Sequence, residues 1–260
     1  MSNLFKIFVR DLTRKPVYSI ITFTGFIFSI AAGLLIYLWV YNELSFEKFH
    51  PGYQRIYRVL TLSREGDRIL KSPMCYRPLP KTLKMDYPQI EYATYISYDS
   101  EDSPLHAEAG GEKIEARRCW TNEDFLKIFA GFRFLEGSPQ SAFDKPDNII
   151  LSEQTAKRIF GNKPALGKVL ISDKFSREVY TVGGVIRIPE QSHIDFGYML
   201  SEKNSQILDY SNNWGDKGFV RVYIKLGKDA QIDDQFLSAI SNQISRYSKI
   251  TDKLMFQNYE

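Results

Sequence analysis

The sequence predicts an α+β protein: one N-terminal transmembrane helix followed by a mixed domain outside the membrane. Three observations lead there. Residues 17–41, VYSIITFTGFIFSIAAGLLIYLWVY, form a run of 25 without Asp, Glu, Lys, Arg or His. The run is flanked unequally, by Lys6, Arg10, Arg14 and Lys15 on one side and by Glu43, Glu47 and Lys48 on the other. Beyond it, short strand-like and helix-like segments alternate, with tight turns and hairpins dominating, which favours α+β over a doubly wound parallel sheet.

Residues 1–16 place Leu4, Phe5, Phe8 and Leu12 on one helical face, with Lys6, Arg10 and Arg14 mostly elsewhere. This reads as a cytoplasmic amphipathic segment lying on the membrane before the chain turns in at Pro16. A helix over 17–41 reaches roughly 37 Å at about 1.5 Å per residue, enough to cross a hydrocarbon core of about 30 Å. A cleaved signal peptide should have a shorter apolar region ending in small residues. Here the far end is Tyr37, Trp39 and Tyr41, an aromatic belt. The basic flank puts the N-terminus in the cytoplasm and residues 42–260 outside, which in a bacterium is the periplasm. Gly25, Ser29 and Gly33 recur every fourth residue, so they share a face that would let another helix approach.

In the exterior part, RIYRVLTL (55–62) and IEYATYISY (90–98) alternate as strands, with a short helix over 78–88 between them. NEDFLKIFA (122–130) predicts a second helix with an Asn N-cap. NIIL then reads as a strand and SEQTAKRIF as a helix capped by Ser152 and ended by Gly161. KVLISD and REVYTVGGVIRI suggest a hairpin, and FVRVYIKL a further strand. Ile232, Phe236, Ile240 and Ile244 stripe a closing helix.

Several function classes fall away. With 43% hydrophobic and 14% aromatic residues the chain can build a core, so disorder is not expected. The net charge of +3 is already accounted for by the first 16 residues, and the remainder is neutral. That leaves no basic surplus for nucleic acid. FGNKPALGKVL (160–170) looks like a phosphate-binding loop, but five residues separate Gly161 from Gly167 and Val169 stands where Ser or Thr is needed. It also runs from helix to strand, the reverse of a P-loop. His50, His106 and His193 show no paired ligand spacing, and nothing forms a nucleophile elbow, so neither a metal, a cofactor nor enzymatic activity is expected. Paired carboxylates such as Glu101 with Asp102, or Asp233 with Asp234, read as solvated charge or helix capping. Cys75 and Cys119 are too few for a disulfide framework, and whether they pair stays open.

The order of segments carries a resemblance. NLFKIFVRDLTRKPVYSIITFTGFIFSIAAGLLIYLWVYNELSFEKFHPGYQRIYRV resembles the opening of FtsX-like and MacB-like ABC transporter permeases, especially the Bacteroidetes form. FLKIFAGFRFLEGSP, NIILSEQTAKRIFGNKPALGKVL and YTVGGVIRIPEQSHIDFGYMLS are similar to successive pieces of the MacB-like periplasmic core domain. The resemblance implies a two-lobed periplasmic domain: a porter-like βαβ lobe over 53–103 and 195–250, and a mostly β inserted lobe over 104–194. It also implies an inner-membrane permease of the mechanotransmission type, working with a cytoplasmic ABC ATPase subunit, a second permease copy and an unknown periplasmic substrate or protein partner. Such permeases carry three more membrane helices after this domain, and nothing after Tyr41 is apolar for long enough to span. The chain is accordingly expected to be either part of a permease or a free-standing relative. The alternative function is a membrane-anchored periplasmic binding or sensing module without ATPase coupling.

Overall fold

The computed structural model describes residues 16–65, 67–174, 176–204, 214, 220–230, 232–243 and 253–259. The chain divides into two units, Met1–Phe46 and Glu47–Glu260. Lys6, Arg10, Arg14 and Lys15, with the predicted amphipathic segment, lie outside the described residues, as does Ile244.

In the first unit Pro16–Glu43 is one helix, α1, which contains the predicted span and is long and apolar enough to cross a membrane. Pro16 opens it, where a missing N–H costs nothing. None of its residues is buried, so its apolar surface faces outward all round, as hydrocarbon requires. Its hydroxyls are satisfied within the helix: Thr22, Thr24 and Ser29 donate to the carbonyls of Tyr18, Ile20 and Gly25 at 2.9, 2.8 and 2.9 Å. Gly25, Ser29 and Gly33 are exposed, and a Cβ at either glycine would meet nothing within 4 Å.

The second unit begins with a 3₁₀ turn at Tyr53–Arg55. Its elements are β1 Ile56–Glu65, β2 Arg68–Ser72, α2 Leu79–Asp86, β3 Ile90–Tyr98, β4 Ser103–Ala107, β5 Ile114–Ala116 and β6 Arg118–Thr121. There follow α3 Phe125–Ile128, β7 Arg133–Gly137, β8 Asn148–Ser152, α4 Glu153–Phe160, β9 Val169–Ser172 and β10 Glu178–Arg187. The last are β11 Tyr198–Ser201, β12 Val220–Leu226, α5 Asp234–Ser241 and β13 Lys253–Asn258. Among the described residues all thirteen strands join one sheet, ordered β13-β1-β12-β3-β6-β11-β8-β10-β9-β4-β5, with β2 on β1 and β7 on β10. Only β6 with β11 and β8 with β10 run parallel among the described pairs, so the expected α+β class holds.

Both faces of this sheet are buried, because apolar residues occupy odd and even positions alike. Val222 and Ile224 of β12 join Leu79 and Leu83 of α2 and Phe236 and Ile240 of α5 in one core. Tyr223 between them turns to the other, with Phe125, Phe129 and Tyr259.

Most predicted elements recur with small shifts. β3 and the hairpin of β9 and β10 match the sequence reading. Ser152 accepts a 3.2 Å hydrogen bond from the Thr155 amide, and Gly161 ends α4 at φ 63°. Asp233 caps α5, accepting from the Phe236 amide at 2.7 Å. The helix expected over 122–130 shrinks to the single turn α3. The N-cap of this turn is Asp124, and Asn122 sits two residues before it. Asn122 Oδ1 accepts from the Asp124 amide at 3.2 Å, as a cap does, and also from the Thr94 hydroxyl at 2.7 Å, while its Nδ2 donates to the Ala93 carbonyl at 2.9 Å, tying it to β3. The sequence reading ended at the closing helix, but β13 follows and pairs with β1.

Candidate functional site

Three residues, 44–46, separate α1 from Glu47, and from Glu47 onward the chain is locked into the second unit. Glu47 is 1% exposed and adopts a left-handed φ of 59°, uncommon for a side-chain-bearing residue. Its amide donates to the Gln191 carbonyl at 3.0 Å. Its Oε1 accepts a short hydrogen bond from the His193 amide and lies 3.1 Å from His193 Nδ1. His50, fully buried, brings Nε2 to 3.3 Å from Glu47 Oε2, poorly aligned for a hydrogen bond, while its Nδ1 accepts from the Gly131 amide at 3.2 Å. Only the neutral Nε2–H tautomer suits both neighbours, since a proton on Nδ1 would face the Gly131 N–H.

The electrostatics agree with this geometry. Burial pushes the Glu47 carboxyl up, but the His50 contact, the His193 amide and the Tyr259 hydroxyl outweigh it and hold it below the usual carboxylate range. Burial drives the His50 imidazole down, against the pull of Glu47, so it stays neutral. Two further ties fix the entry segment to β12: Lys225 Nζ donates to the Pro51 carbonyl at 2.9 Å, and Arg55 Nη1 to the Leu226 carbonyl at 2.7 Å. Burial, then Arg55, lowers the Lys225 ammonium. Gly131 is required by closeness: a Cβ there would stand 2.4 Å from the Phe49 carbonyl oxygen and 2.8 Å from His50 Nδ1.

A second feature is a cleft of about 690 Å³ beneath α2, at the carboxyl ends of the parallel pair β6 and β11. Asp124 on its floor is almost buried and takes both Lys84 and, at 2.9 Å, Lys127. Burial raises its carboxyl, but those two lysines prevail and lower it. Glu123 pairs with Lys203 at 3.1 Å. Glu202 faces the Tyr95 hydroxyl, and burial followed by the charge of Glu123 raises its carboxyl.

The sequence treated the three histidines as isolated, yet folding brings His50 and His193 onto one carboxylate. The signal that could have found this is Glu47 itself, an acidic residue directly after a membrane span. His106 stands apart, 3.2 Å from Asp173. Among the described residues no group of His, Cys, Asp and Glu could hold a metal ion. The loop that mimics a P-loop has its amides filled from within: Glu136 Oε2 accepts from Ala165 and Leu166 at 2.9 and 2.8 Å. Cys75 and Cys119 are buried free thiols.

An exposed helix long and apolar enough to cross a membrane precedes a sheet-rich α+β domain. The chain belongs to the MacB-like periplasmic core domain family, whose profile matches residues 19–241. Among curated proteins nothing matches. Three solved structures share the fold. A domain assigned to a permease protein from Porphyromonas gingivalis aligns at 21% identity and TM-score 0.66, covering 81% of this chain and 93% of that one. The periplasmic region of MacB from Actinobacillus actinomycetemcomitans aligns at 15% and 0.54, covering 78% and 88%. The extracellular domain of the noncanonic ABC-type transporter YknZ from Gram-positive bacteria aligns at 10% and 0.51, covering 78% and 100%. At these identities the likeness is one of fold. The chain is thus a MacB-like periplasmic domain of the ABC-type transporter permease family, a family of permeases that generally work with an ATPase partner and are not typical enzymes.

Proposed function

We propose that this chain supplies the first membrane helix and the periplasmic domain of an inner-membrane ABC permease of the mechanotransmission type. In this reading the N-terminus lies in the cytoplasm, with Lys6, Arg10, Arg14 and Lys15 at the inner surface. A separate cytoplasmic ATPase drives α1, Gly25, Ser29 and Gly33 pack it against another membrane helix, and a second permease copy completes the assembly. Residues 42–260 then move a periplasmic substrate or engage a partner protein. The observation that carries this is the family match over residues 19–241, which takes in most of α1 as well as the sheet-rich domain.

The lobe division 53–103 with 195–250 against 104–194 belongs to the same proposal. The sheet order supports it, since strands from 56–98 and 220–258 occupy one end and those from 103–201 the other, which moves the second boundary beyond β11. The test is reconstitution of the intact permease with its ATPase in lipid bilayers. Co-purification and stimulated ATP hydrolysis that Glu47→Ala abolishes are expected, and no associated ATPase under any condition would sink the reading. The sensing alternative is favoured by one feature, the built cleft beneath α2.

A further inference from the structure

The charges around the cleft beneath α2 do not cancel. Lys84 and Lys127 are taken by Asp124, and Lys203 by Glu123. Arg77 and Lys81 line the same cleft, and among the described residues neither lies in an ion pair. Among the described residues the hydrogen-bond partners of Arg77 are neutral: its Nη1 reaches the Tyr95 hydroxyl at 3.4 Å, its Nη2 reaches Ser97 Oγ at 3.2 Å, and its guanidinium lies over the Tyr95 ring at 5.2 Å. Five N–H donors in a planar fork leave at least two unused. The group is also held in place. Just before it Cys75 is fully buried, its amide bonded to the Val220 carbonyl at 2.7 Å, and Tyr76 is 2% exposed; Leu79 behind it is fully buried. Lys81 follows at four residues' distance, where α2 has begun. Beside these cations Pro78, itself buried, and Met85, 72% exposed, form an apolar stretch of the lining.

We propose that this cleft binds an organic acid, its carboxylate held by Arg77 and Lys81 and its apolar body lying along Pro78 and Met85. A forked guanidinium matches a carboxylate in two parallel hydrogen bonds, and a neighbouring ammonium adds a point charge. A cleft of this volume at the ends of parallel strands is of the size that takes small molecules. Glu202 is the opposing charge: it interacts with Arg77 and Lys81 and so competes with an incoming carboxylate. The inference is independent of ATPase coupling, because every residue it uses belongs to the second unit.

The test uses the full chain in lipid nanodiscs with three small probes: 4-phenylbutyrate, N-acetyl-Ala-Phe with a free carboxylate, and 4-phenylbutyramide. Saturation-transfer difference NMR should show both acids binding, phenylbutyrate at roughly millimolar affinity as expected for about a dozen heavy atoms and the dipeptide, with about twenty, compared per heavy atom. The tighter of the two acids then says whether a free acid or a peptide terminus is the natural source. Arg77→Gln and the solvent-exposed Lys81→Gln should each weaken the acids by about tenfold or more, since each removes a charged hydrogen-bond donor. Glu202→Gln, which keeps the shape and removes the competing charge, should tighten them. Lys81→Gln cannot disturb the core, so its reading stands even if Arg77→Gln folds poorly. Equal binding of the amide, wild-type affinity in Lys81→Gln, or binding of inorganic phosphate alone would each overturn the proposal.

Discussion

Replacing Glu47 by alanine tests whether the junction below α1 holds the entry segment or merely decorates it. The carboxylate accepts the half-buried His193 amide and stands 3.3 Å from the buried His50 Nε2, with the Tyr259 hydroxyl close by. A buried donor left without an acceptor costs about 1–3 kcal/mol. Because His50 is neutral, removing Glu47 strands hydrogen-bond donors rather than a charge, and we expect Glu47→Ala to lose about 2–3 kcal/mol. For a domain of this size each kcal/mol lowers the midpoint by about 2–4 °C, so thermal unfolding should shift by roughly 8 °C. Glu47→Gln keeps one oxygen for the His193 amide and should fall between alanine and wild type. The assay is near-ultraviolet circular dichroism of the full chain in detergent during heating and in urea. A shift below about 1 kcal/mol in Glu47→Ala, the range of an ordinary surface substitution, would refute the clamp.

Three further outcomes follow from the same structure. Acidification should destabilise the domain in two stages. The folded His50 titrates below its ordinary 6.5, so the unfolded chain takes the proton first and stability falls as pH drops from about 6.5. Glu47, held below its ordinary 4.5, keeps its contribution until pH falls further, through the folded value. Urea midpoints between pH 7 and pH 5 should therefore fall more steeply in wild type than in His50→Asn. Gly131→Ala should cost about 1–3 kcal/mol or more through overpacking, read as a lowered urea midpoint, because its Cβ would meet backbone at 2.4 Å. Arg118, 3% exposed, bonds Asp99 and Glu178 at 2.7 Å each; Arg118→Ala strands two carboxylates and should cost about 3–5 kcal/mol in the same assay.

How far the sequence disclosed this depended on the range of the interactions. Elements set by local chemistry were legible: the uncharged run of α1, the Ser152 and Asp233 caps, the alternation in β3. Short edge elements were not. β13, KLMFQN, pairs with a strand nearly two hundred residues earlier, and its own residues carry no strong alternation. α3 was overread because the helix starts only after Asp124 and Asn122 shares its hydrogen bonds between the Asp124 amide and β3, a contact no local pattern announces. The junction stayed hidden for the same reason: Glu47, Gly131, His193 and Tyr259 are far apart in sequence and meet only when the sheet closes. The cleft was equally silent, since Arg77 and Glu202 come from different ends of the chain.

The junction and the cleft are linked through the way the sheet is joined. The entry segment does not lean on one strand. Glu47 and His50 touch residues 191–193 after β10, Gly131 before β7, and Tyr259 after β13, so a force entering there is divided between both ends of the strand order. Those ends meet where β3 pairs with β6. Two residue pairs form that ladder, Ser97 with Trp120 and Tyr98 with Cys119, and side chains extend it: Thr121 Oγ1 donates to the Tyr95 carbonyl at 2.7 Å and Asn122 Nδ2 to the Ala93 carbonyl at 2.9 Å. On its other side β3 is bound to β12 by seven pairs. The seam is therefore held by side chains as much as by its ladder. The cleft lies over that seam, with Arg77 and Lys81 contributed from one side and Asp124 and Glu202 from the other.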